Sequence, residues 1–306
     1  EFRRVLFRSQ AYVKLGHIEP AKMSFAAAMR YDFDPAIKEE AMYNYALTTY
    51  QSSTALGESV TAFTDFLKAY PDSKHSEHVW ALLTDVFLTS KNYKAGYDAL
   101  CQIEKPTAKM QQTKQYLRYQ LGAEAYLQNK NTDAIDRFSE VINNEKGTSI
   151  YKTDSYYWRA EAYYHLRDYE NAEKDILAYG RQKDASKNEN YTNAKYLKGY
   201  IYFSEKKYEA AQKAFSEYIT GADKTSATYA DALNRIGDCY FSMREFSKAE
   251  NCYAQVVAQG TTGADYALFQ RGYALGLLKR YNDKINVLEK LVKQYPRSDY
   301  ADDALY

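Results

Sequence analysis

Few residues of this chain stand at spacings that are typical of catalysis or metal binding. His75 and His78 are three residues apart and could ligate one metal ion, but no third ligand lies near them in the sequence. A solvated helix start explains this pair more simply. Cys239 and Cys252 would form a disulfide only if two antiparallel helices placed them side by side, and neither falls on a packing face. We therefore expect no metal site, and a disulfide is the less favoured interpretation of the two cysteines.

The chain also lacks the motifs of nucleophilic and nucleotide-dependent catalysis. It contains no Gly-x-Ser-x-Gly elbow, no phosphate-binding loop and no dinucleotide fingerprint. Its 41 basic and 40 acidic residues give a formal net charge of +1, without the basic stripe of nucleic-acid-binding proteins. No apolar run is long enough to cross a bilayer. These features predict a protein that is not an enzyme, carries no cofactor, binds no nucleic acid and has no transmembrane segment.

Tyrosine is unusually frequent, at 33 of 306 residues. Many of the rings fall on one helical face of successive segments, turned by about 100° from the face that packs in the core. Such rings offer amphipathic contact area at a low entropy cost, so they are the candidate partner-binding residues. The alternative is that these aromatics only pack against the next segment. The candidates are Tyr119, Tyr126, Tyr157, Tyr164, Tyr196, Tyr200, Phe203, Phe269 and Tyr273.

An internal repeat positions these residues. Gly237 is followed by aromatic residues three, nine and sixteen positions later and by an alanine twelve positions later. Similar series start at six other anchor residues, most of them 38 residues apart. The seven anchors are Ala46, Thr84, Gly122, Ala160, Gly199, Gly237 and Gly272. The spacings predict two antiparallel helices in each repeat, with small residues such as Gly237 and Ala249 facing each other.

This pattern resembles the tetratricopeptide repeat family. The family signature of an aromatic residue, Leu-Gly, Tyr, Ala, an aromatic residue and Pro is matched at Trp80–Leu83, Ile236-Gly237, Tyr240, Ala249, Tyr253 and the closing prolines Pro71, Pro106 and Pro296. The resemblance implies an all-α fold, a right-handed α-solenoid of about eight helix-turn-helix units. Lys284 departs from the pattern, because a small residue is expected there. Either the eighth repeat packs loosely or the Lys284 side chain snorkels outward.

The domain organisation follows from the repeat. We expect residues 1–9 to be a cloning or assembly scar, because EFRRVLFRS lacks a starting Met, and Glu-Phe and Arg-Ser are encoded by common restriction sites. Residues 10–306 are expected to form a single solenoid, in which Tyr-Pro phrases at Tyr70 and Tyr295 close one repeat before the next begins. The expected repeats are 10–37, 38–75, 76–113, 114–151, 152–190, 191–228, 229–263 and 264–298, with a partial ninth at 299–306.

The resemblance also implies a function, that of an interaction scaffold holding a partner protein or peptide in its concave groove. The closing Tyr-Pro-x-Ser phrase is similar to bacterial envelope members of the family, those of outer-membrane assembly and of the Tol-Pal system. We therefore expect a fragment of a larger envelope protein, periplasmic or outer-membrane-associated. Two alternatives are a sensory or regulatory arm of a larger cytoplasmic protein and a carbohydrate-binding surface. The acidic chaperone tails that some members bind are not supported, because the groove positions lack the required lysines and asparagines.

Overall fold

A computed structural model describes residues 2–30, 34–52, 56–103, 106, 108–144 and 149–305, without the side chains of residues 2–6 and 56. Throughout these ranges α-helices alternate with short turns, and no strand occurs. The chain divides into two compact bodies, residues 1–121 and 122–306, and helix α7 (Ala108–Leu127) runs across the boundary. The expected all-α class is confirmed. A single continuous solenoid over residues 10–306 stays a prediction.

The N-terminal body consists of packed helix pairs joined by short turns. Its core is aromatic and aliphatic: Phe63, Phe66 and Leu83 are fully buried. Before α7 it contains α1 (Phe2–Lys14), α2 (Ile18–Ala28), α3 (Pro35–Ser52), α4 (Leu56–Ala69), α5 (Ser76–Ser90) and α6 (Tyr93–Cys101).

The C-terminal body continues the series, and each helix packs against the helices before and after it. After the end of α7 it contains α8 (Asn131–Asn144), α9 (Ile150–His165), α10 (Tyr169–Gly180), α11 (Tyr191–Ser204), α12 (Tyr208–Ile219), α13 (Ala227–Ser242), α14 (Phe246–Gln259), α15 (Ala264–Leu277) and α16 (Tyr281–Gln294). The repeat of two helices that the anchor spacing predicts is therefore confirmed in the described residues, and odd-numbered helices are the first helices of their repeats.

Where the anchor is a glycine, it makes room for the side chain sixteen residues later. A β-carbon on Gly237 would lie 2.5 Å from the Tyr253 ring, and one on Gly199 would lie 2.6 Å from the Phe215 ring. Gly122 faces Phe138 in the same way. The expected contact between two small residues was thus wrong in one respect. The nearest neighbour of Gly237 is the large ring of Tyr253 rather than Ala249.

In six repeats, a left-handed residue other than glycine follows the first helix. Six exposed residues, each seven positions after an anchor, have φ between +54° and +63°: Lys91, Asn129, Arg167, Lys206, Arg244 and Lys279. The next backbone N–H then bonds back across the turn, as from Asp168 to the Tyr163 carbonyl at 2.9 Å. This closure satisfies a carbonyl that the helix end would leave unpaired. It reverses the chain within two or three residues and brings the second helix onto the first.

The serine of the Tyr-Pro-x-Ser phrase explains why the phrase recurs between repeats. The Ser73 hydroxyl accepts a bond from the His75 N–H at 3.1 Å and donates to Glu39 on α3 at 2.5 Å. Ser298 does the same, with the Tyr300 N–H at 3.3 Å and Asp265 on α15 at 2.7 Å. The Tyr-Pro-x-Ser segment therefore ends one repeat. Its serine hydrogen-bonds the turn to the first helix of that same repeat.

Lys284 neither leaves a void nor points wholly into solvent. Its side chain is partly buried, and its Cδ would lie 3.4 Å from a β-carbon on Gly276. The lysine stem thus packs over a second glycine of α15, one turn beyond the anchor Gly272, while Leu288 takes the place of the usual ring against Gly272. A glycine compensates for the missing small residue, and the aliphatic stem covers it.

The described residues near both ends of the chain are helical. Helix α1 begins at Phe2, and Ser9 is fully buried at the anchor position, seven residues before Gly16 with its φ of +74°. That residues 1–9 are a cloning scar stays a prediction. Asp303–Leu305 form a 3-10 turn where a ninth repeat was expected to begin, and Glu1 and Tyr306 lie outside the described residues. The ninth repeat also stays a prediction.

We expect Gly237→Ala to lower the free energy of unfolding by about 1–3 kcal/mol, because the added methyl group overlaps the Tyr253 ring. Urea unfolding followed by circular dichroism measures the change. Gly180→Ala is the matched control, since a β-carbon at this helical position meets no atom within 4 Å. Equal destabilisation by both substitutions would show that the loss comes from backbone effects and not from the ring contact.

Candidate functional site

The first helices of the C-terminal body carry eight of the nine candidate residues. Tyr126 lies on α7, two candidates lie on α9, three on α11 and two on α15. The ninth, Tyr119, belongs to the N-terminal body, where it is partly buried. The eight are Tyr126, Tyr157, Tyr164, Tyr196, Tyr200, Phe203, Phe269 and Tyr273.

Solvent exposure divides these eight side chains. Tyr157 is a core residue, with 4% of its surface exposed. Tyr273 is at the other extreme, with 54% exposed. The remaining six are partly buried. Tyr157 therefore fits the alternative of internal packing, whereas the others present at least an edge to solvent.

Ring contacts connect the aromatic residues of successive first helices. Tyr126 on α7 lies 5.2 Å from Trp158 on α9, and Tyr164 on α9 lies 6.3 Å from Tyr200 on α11, as measured between ring centroids. Phe269 on α15 stacks on Tyr300 at 5.2 Å and contacts Tyr273 at 5.0 Å. We call the partly or fully exposed members the aromatic surface: Tyr126, Trp158, Tyr164, Tyr196, Tyr200, Phe203, Phe269 and Tyr273.

Carboxylates lie beneath the rings and accept bonds from their hydroxyl groups. The Tyr196 hydroxyl donates to Asp231 Oδ2 at 2.6 Å, and the Tyr200 hydroxyl donates to the same oxygen. Burial first, and the neighbouring carboxylate second, raise the pKa of both phenols. Burial likewise raises the pKa of Tyr126, to about 12, and that of Tyr164. These phenols are therefore neutral donors at physiological pH.

Arg235 is the cation of the aromatic surface. Its Nη1 lies 2.7 Å from Asp238 Oδ2, and its guanidinium lies over the Phe203 ring at 5.9 Å and over the Tyr266 ring at 5.1 Å. The other oxygen of Asp238 accepts the hydroxyl groups of Tyr253 and Tyr266, each at 2.8 Å. Rings therefore surround the charged pair, and the opposite charge together with the two phenol hydrogen bonds offsets part of the cost of burying Asp238.

Glu161 on α9 has a poorer set of partners. The Tyr157 hydroxyl donates to Glu161 Oε1 at 2.7 Å. Burial raises the pKa of the Glu161 carboxyl, although the bond from Tyr157 and the nearby His165 oppose the shift. Among the side chains that the structure describes, no lysine, arginine or histidine nitrogen lies within 4.0 Å of this carboxylate.

Three residues that contribute to this region are not among the residues predicted from the sequence: Trp158, Arg235 and Tyr266. Arg235 and Trp158 stand two residues before the anchors of their repeats. The same position before the anchor Gly199 is Leu197, which is buried in the core, so repeat spacing alone does not mark this position as part of the surface.

The residues considered for metal or redox chemistry are engaged in packing. His75 stacks on Tyr43 at 3.8 Å and lies 3.0 Å from Glu40, while His78 bonds the Tyr43 hydroxyl at 2.7 Å. The expected solvated helix start holds for His78, which is exposed, but not for His75, which is partly buried against α3. In the described part of the chain, no group of three His, Cys, Asp or Glu residues could hold a metal ion.

Two of the three cysteines, Cys239 and Cys252, are buried thiols, and Cys101 is exposed. Cys239 and Cys252 belong to one hydrophobic cluster and are not bonded to each other. Burial raises the pKa of Cys239 to about 12 and that of Cys252 to about 11, which keeps both protonated and unreactive.

We expect Glu161→Gln to stabilise the fold at neutral pH and to reduce its pH dependence. A carboxyl whose pKa is raised by folding binds its proton more tightly in the folded chain. Its contribution therefore becomes less favourable as pH rises from the ordinary value of 4.5 through the raised pKa. Glutamine accepts the Tyr157 hydroxyl without a charge.

Urea unfolding of the wild type and of Glu161→Gln, at acidic and at neutral pH, measures the difference in stability between them. Glu170→Gln is the control, because Glu170 is exposed and pairs only with Lys174 one helical turn away. A stability gap between wild type and Glu161→Gln that is the same at both pH values would contradict the assignment.

Most of the C-terminal body matches models of a known protein family. Family models described as tetratricopeptide repeat match residues 119–188, residues 192–220 and 230–258, and residues 266–298. Together these segments cover more than half of the chain. No curated protein matches the chain. Among the helices described, none is both long and apolar enough to span a membrane.

Solved structures share the fold at low sequence identity. The C-terminal part of a tetratricopeptide repeat protein from Cytophaga hutchinsonii is 13% identical, with a TM-score of 0.54, and the match covers 86% of this chain and 99% of that one. The apo form of RapI is 13% identical, with a TM-score of 0.52 and coverage of 98% and 78%. MamA from Desulfovibrio magneticus RS-1 is 16% identical, with a TM-score of 0.51 and coverage of 60% and 97%. With its helix pairs, its anchor glycines and these matches, the chain belongs to the tetratricopeptide repeat family.

Proposed function

We propose that this protein is a non-enzymatic scaffold that binds a partner protein or peptide on its aromatic surface. Tetratricopeptide repeat proteins generally mediate protein–protein interactions. The observation that carries the proposal is the row of partly exposed rings on α7, α9, α11 and α15, which ends at the exposed Tyr273. Tyrosine and phenylalanine rings held by their neighbours lose little entropy on binding, so they are effective anchors for a partner.

The geometry of the rings favours a protein over a carbohydrate. Sugar binding by stacking requires a flat ring face that is open to solvent. Here most neighbouring rings meet edge to face, as do Tyr164 with Tyr200 at 62° and Phe269 with Tyr273 at 64°. Six of the eight candidates in the C-terminal body are only partly exposed. Edges and hydroxyl groups of this kind suit the mixed contacts of a polypeptide.

Location in the bacterial envelope rests on the Tyr-Pro-x-Ser phrase and stays a prediction, as does the alternative of a cytoplasmic regulatory arm. The upstream coding sequence of the native gene distinguishes them. A signal or lipoprotein peptide supports the envelope, and a helix-turn-helix domain supports the regulatory arm.

Site-specific photo-crosslinking tests the binding surface. A benzophenone amino acid at position 273 is expected to crosslink a partner in the native host. The same group at position 281 is the matched control, because Tyr281 is an equally exposed tyrosine, at 61%, on the second helix of the same repeat. Equal yields of the same adducts from both positions, or none from position 273, would refute binding on the aromatic surface.

Tyr157→Ala and Tyr273→Ala are expected to separate core rings from surface rings. Truncation of the buried Tyr157 should destabilise the fold by about 3–5 kcal/mol, as for other large core aromatics. Truncation of Tyr273 should change the stability by less than about 0.5 kcal/mol. Thermal unfolding by circular dichroism measures both. A neutral Tyr157→Ala would mean that this ring is not part of the core.

A further inference from the structure

Glu161 and Asp238 occupy the same position in their repeats, one residue after the anchors Ala160 and Gly237. Asp238 is paired with Arg235, two residues before its anchor, at 2.7 Å. The position equivalent to Arg235 on α9 is Trp158. The repeat thus keeps the carboxylate in α9 but lacks the arginine that neutralises its counterpart in α13.

The Arg235 environment shows what this repeat position accommodates. The guanidinium lies beside a carboxylate and between two rings, 5.9 Å from the Phe203 centroid and 5.1 Å from the Tyr266 centroid. Phe203 stands four residues after its anchor on the preceding first helix. The residue at that position relative to Glu161 is Tyr126. One wall of the Arg235 environment therefore has an aromatic equivalent beside Glu161.

We define the Glu161 site as Glu161, Tyr126, Trp158 and Tyr164. Trp158 and Tyr164 lie three residues before and after Glu161 on α9, so all three side chains share one helix face. The Tyr126 and Trp158 rings are 5.2 Å apart, and the carboxylate acts electrostatically on the phenols of Tyr126 and Tyr164. All four side chains are partly exposed, so the site is open to solvent.

An unpaired carboxylate among aromatic rings is unfavourable for folding. A charge taken out of water is tolerated when an opposite charge accompanies it, and Tyr157 supplies a hydrogen bond but no charge. Aromatic faces attract cations, because their ring quadrupole is negative above the plane. We propose that the Glu161 site binds an arginine side chain of the partner protein, an inference that rests on the proposed function.

The geometry favours arginine over lysine. The guanidinium is planar, stacks on rings and donates two parallel hydrogen bonds to a carboxylate, whereas an ammonium group is compact and strongly hydrated. Arg235 shows a guanidinium in a related setting within the same body, because it lies over two rings and has one nitrogen 2.7 Å from an oxygen of Asp238. The partner would supply between molecules the cation that Arg235 supplies within the chain.

Trp158 provides a direct readout of binding. The chain has two tryptophans, and Trp80→Phe leaves Trp158, next to the site, as the single tryptophan, which is excited at wavelengths that the tyrosines do not absorb. In that background the full chain is titrated with a capped alanine peptide that carries arginines and, separately, with the same peptide carrying citrulline. Citrulline keeps the shape of arginine but has no charge. We expect saturable fluorescence changes with the arginine peptide and at least about tenfold weaker binding of the citrulline peptide.

We expect Glu161→Gln to weaken the binding of the arginine peptide by about tenfold or more, and Glu170→Gln to leave that binding unchanged. The two variants lose the same charge, but Glu170 is an exposed residue on α10. Unchanged binding in Glu161→Gln, or equal losses in both variants, would overturn the proposal.

This experiment is independent of the test of the scaffold. If position 273 crosslinks a partner but the arginine peptide does not bind, the proposed scaffold is supported and the arginine site is refuted. If no partner is crosslinked but Glu161→Gln weakens peptide binding, the arginine site is supported as a property of the chain and the proposed function is refuted.

Discussion

The close packing of a large side chain against a bare glycine backbone is the contact on which the glycine-anchored repeats of the C-terminal body depend. With a β-carbon at Gly237, the Tyr253 ring would have to move, because the two would lie 2.5 Å apart. The third repeat reverses the roles. There Gly96 is on the second helix, and its β-carbon would lie 2.9 Å from Phe87 on the first helix. Either arrangement fixes which face of the first helix is buried, and so determines which residues form the aromatic surface on the adjoining face.

The tyrosine content follows from a second requirement, the satisfaction of buried carboxylates. Phenylalanine would fill the same space, but a phenol also brings a hydroxyl group that bonds a carboxylate in a poorly hydrated environment. Four phenols serve two carboxylates in this way: those of Tyr196, Tyr200, Tyr253 and Tyr266. Two members of the aromatic surface, Tyr196 and Tyr200, are therefore held in place by a polar contact without being fully buried.

The repeat, the helix pairs and the all-α class could be predicted from the sequence, because anchor residues at a constant spacing define a face of each helix. The turns could not, since lysine, arginine and asparagine carry the left-handed conformation where a glycine would be the usual signal. The site was predictable only in part. Spacing places Tyr157 and Tyr164 on one stripe, but the depth of each ring depends on neighbouring helices, and Tyr157 is buried while Tyr273 is exposed. The pairing of Arg235 with Asp238 depends on side-chain conformations that spacing does not define.

The left-handed turn has a consequence for how such an array can vary. In the repeats anchored at Gly122, Gly199 and Gly237, the left-handed turn residue comes seven positions after the anchor. The aromatic ring that packs on the anchor comes sixteen positions after it. The distance from one anchor to the next nevertheless ranges from 35 residues, before Gly272, to 39, before Gly199. All of that variation falls in the segments that join one hairpin to the next. Insertions and deletions can accumulate in these joints while each hairpin is inherited intact, so the offset between neighbouring binding positions can change without any loss of the core.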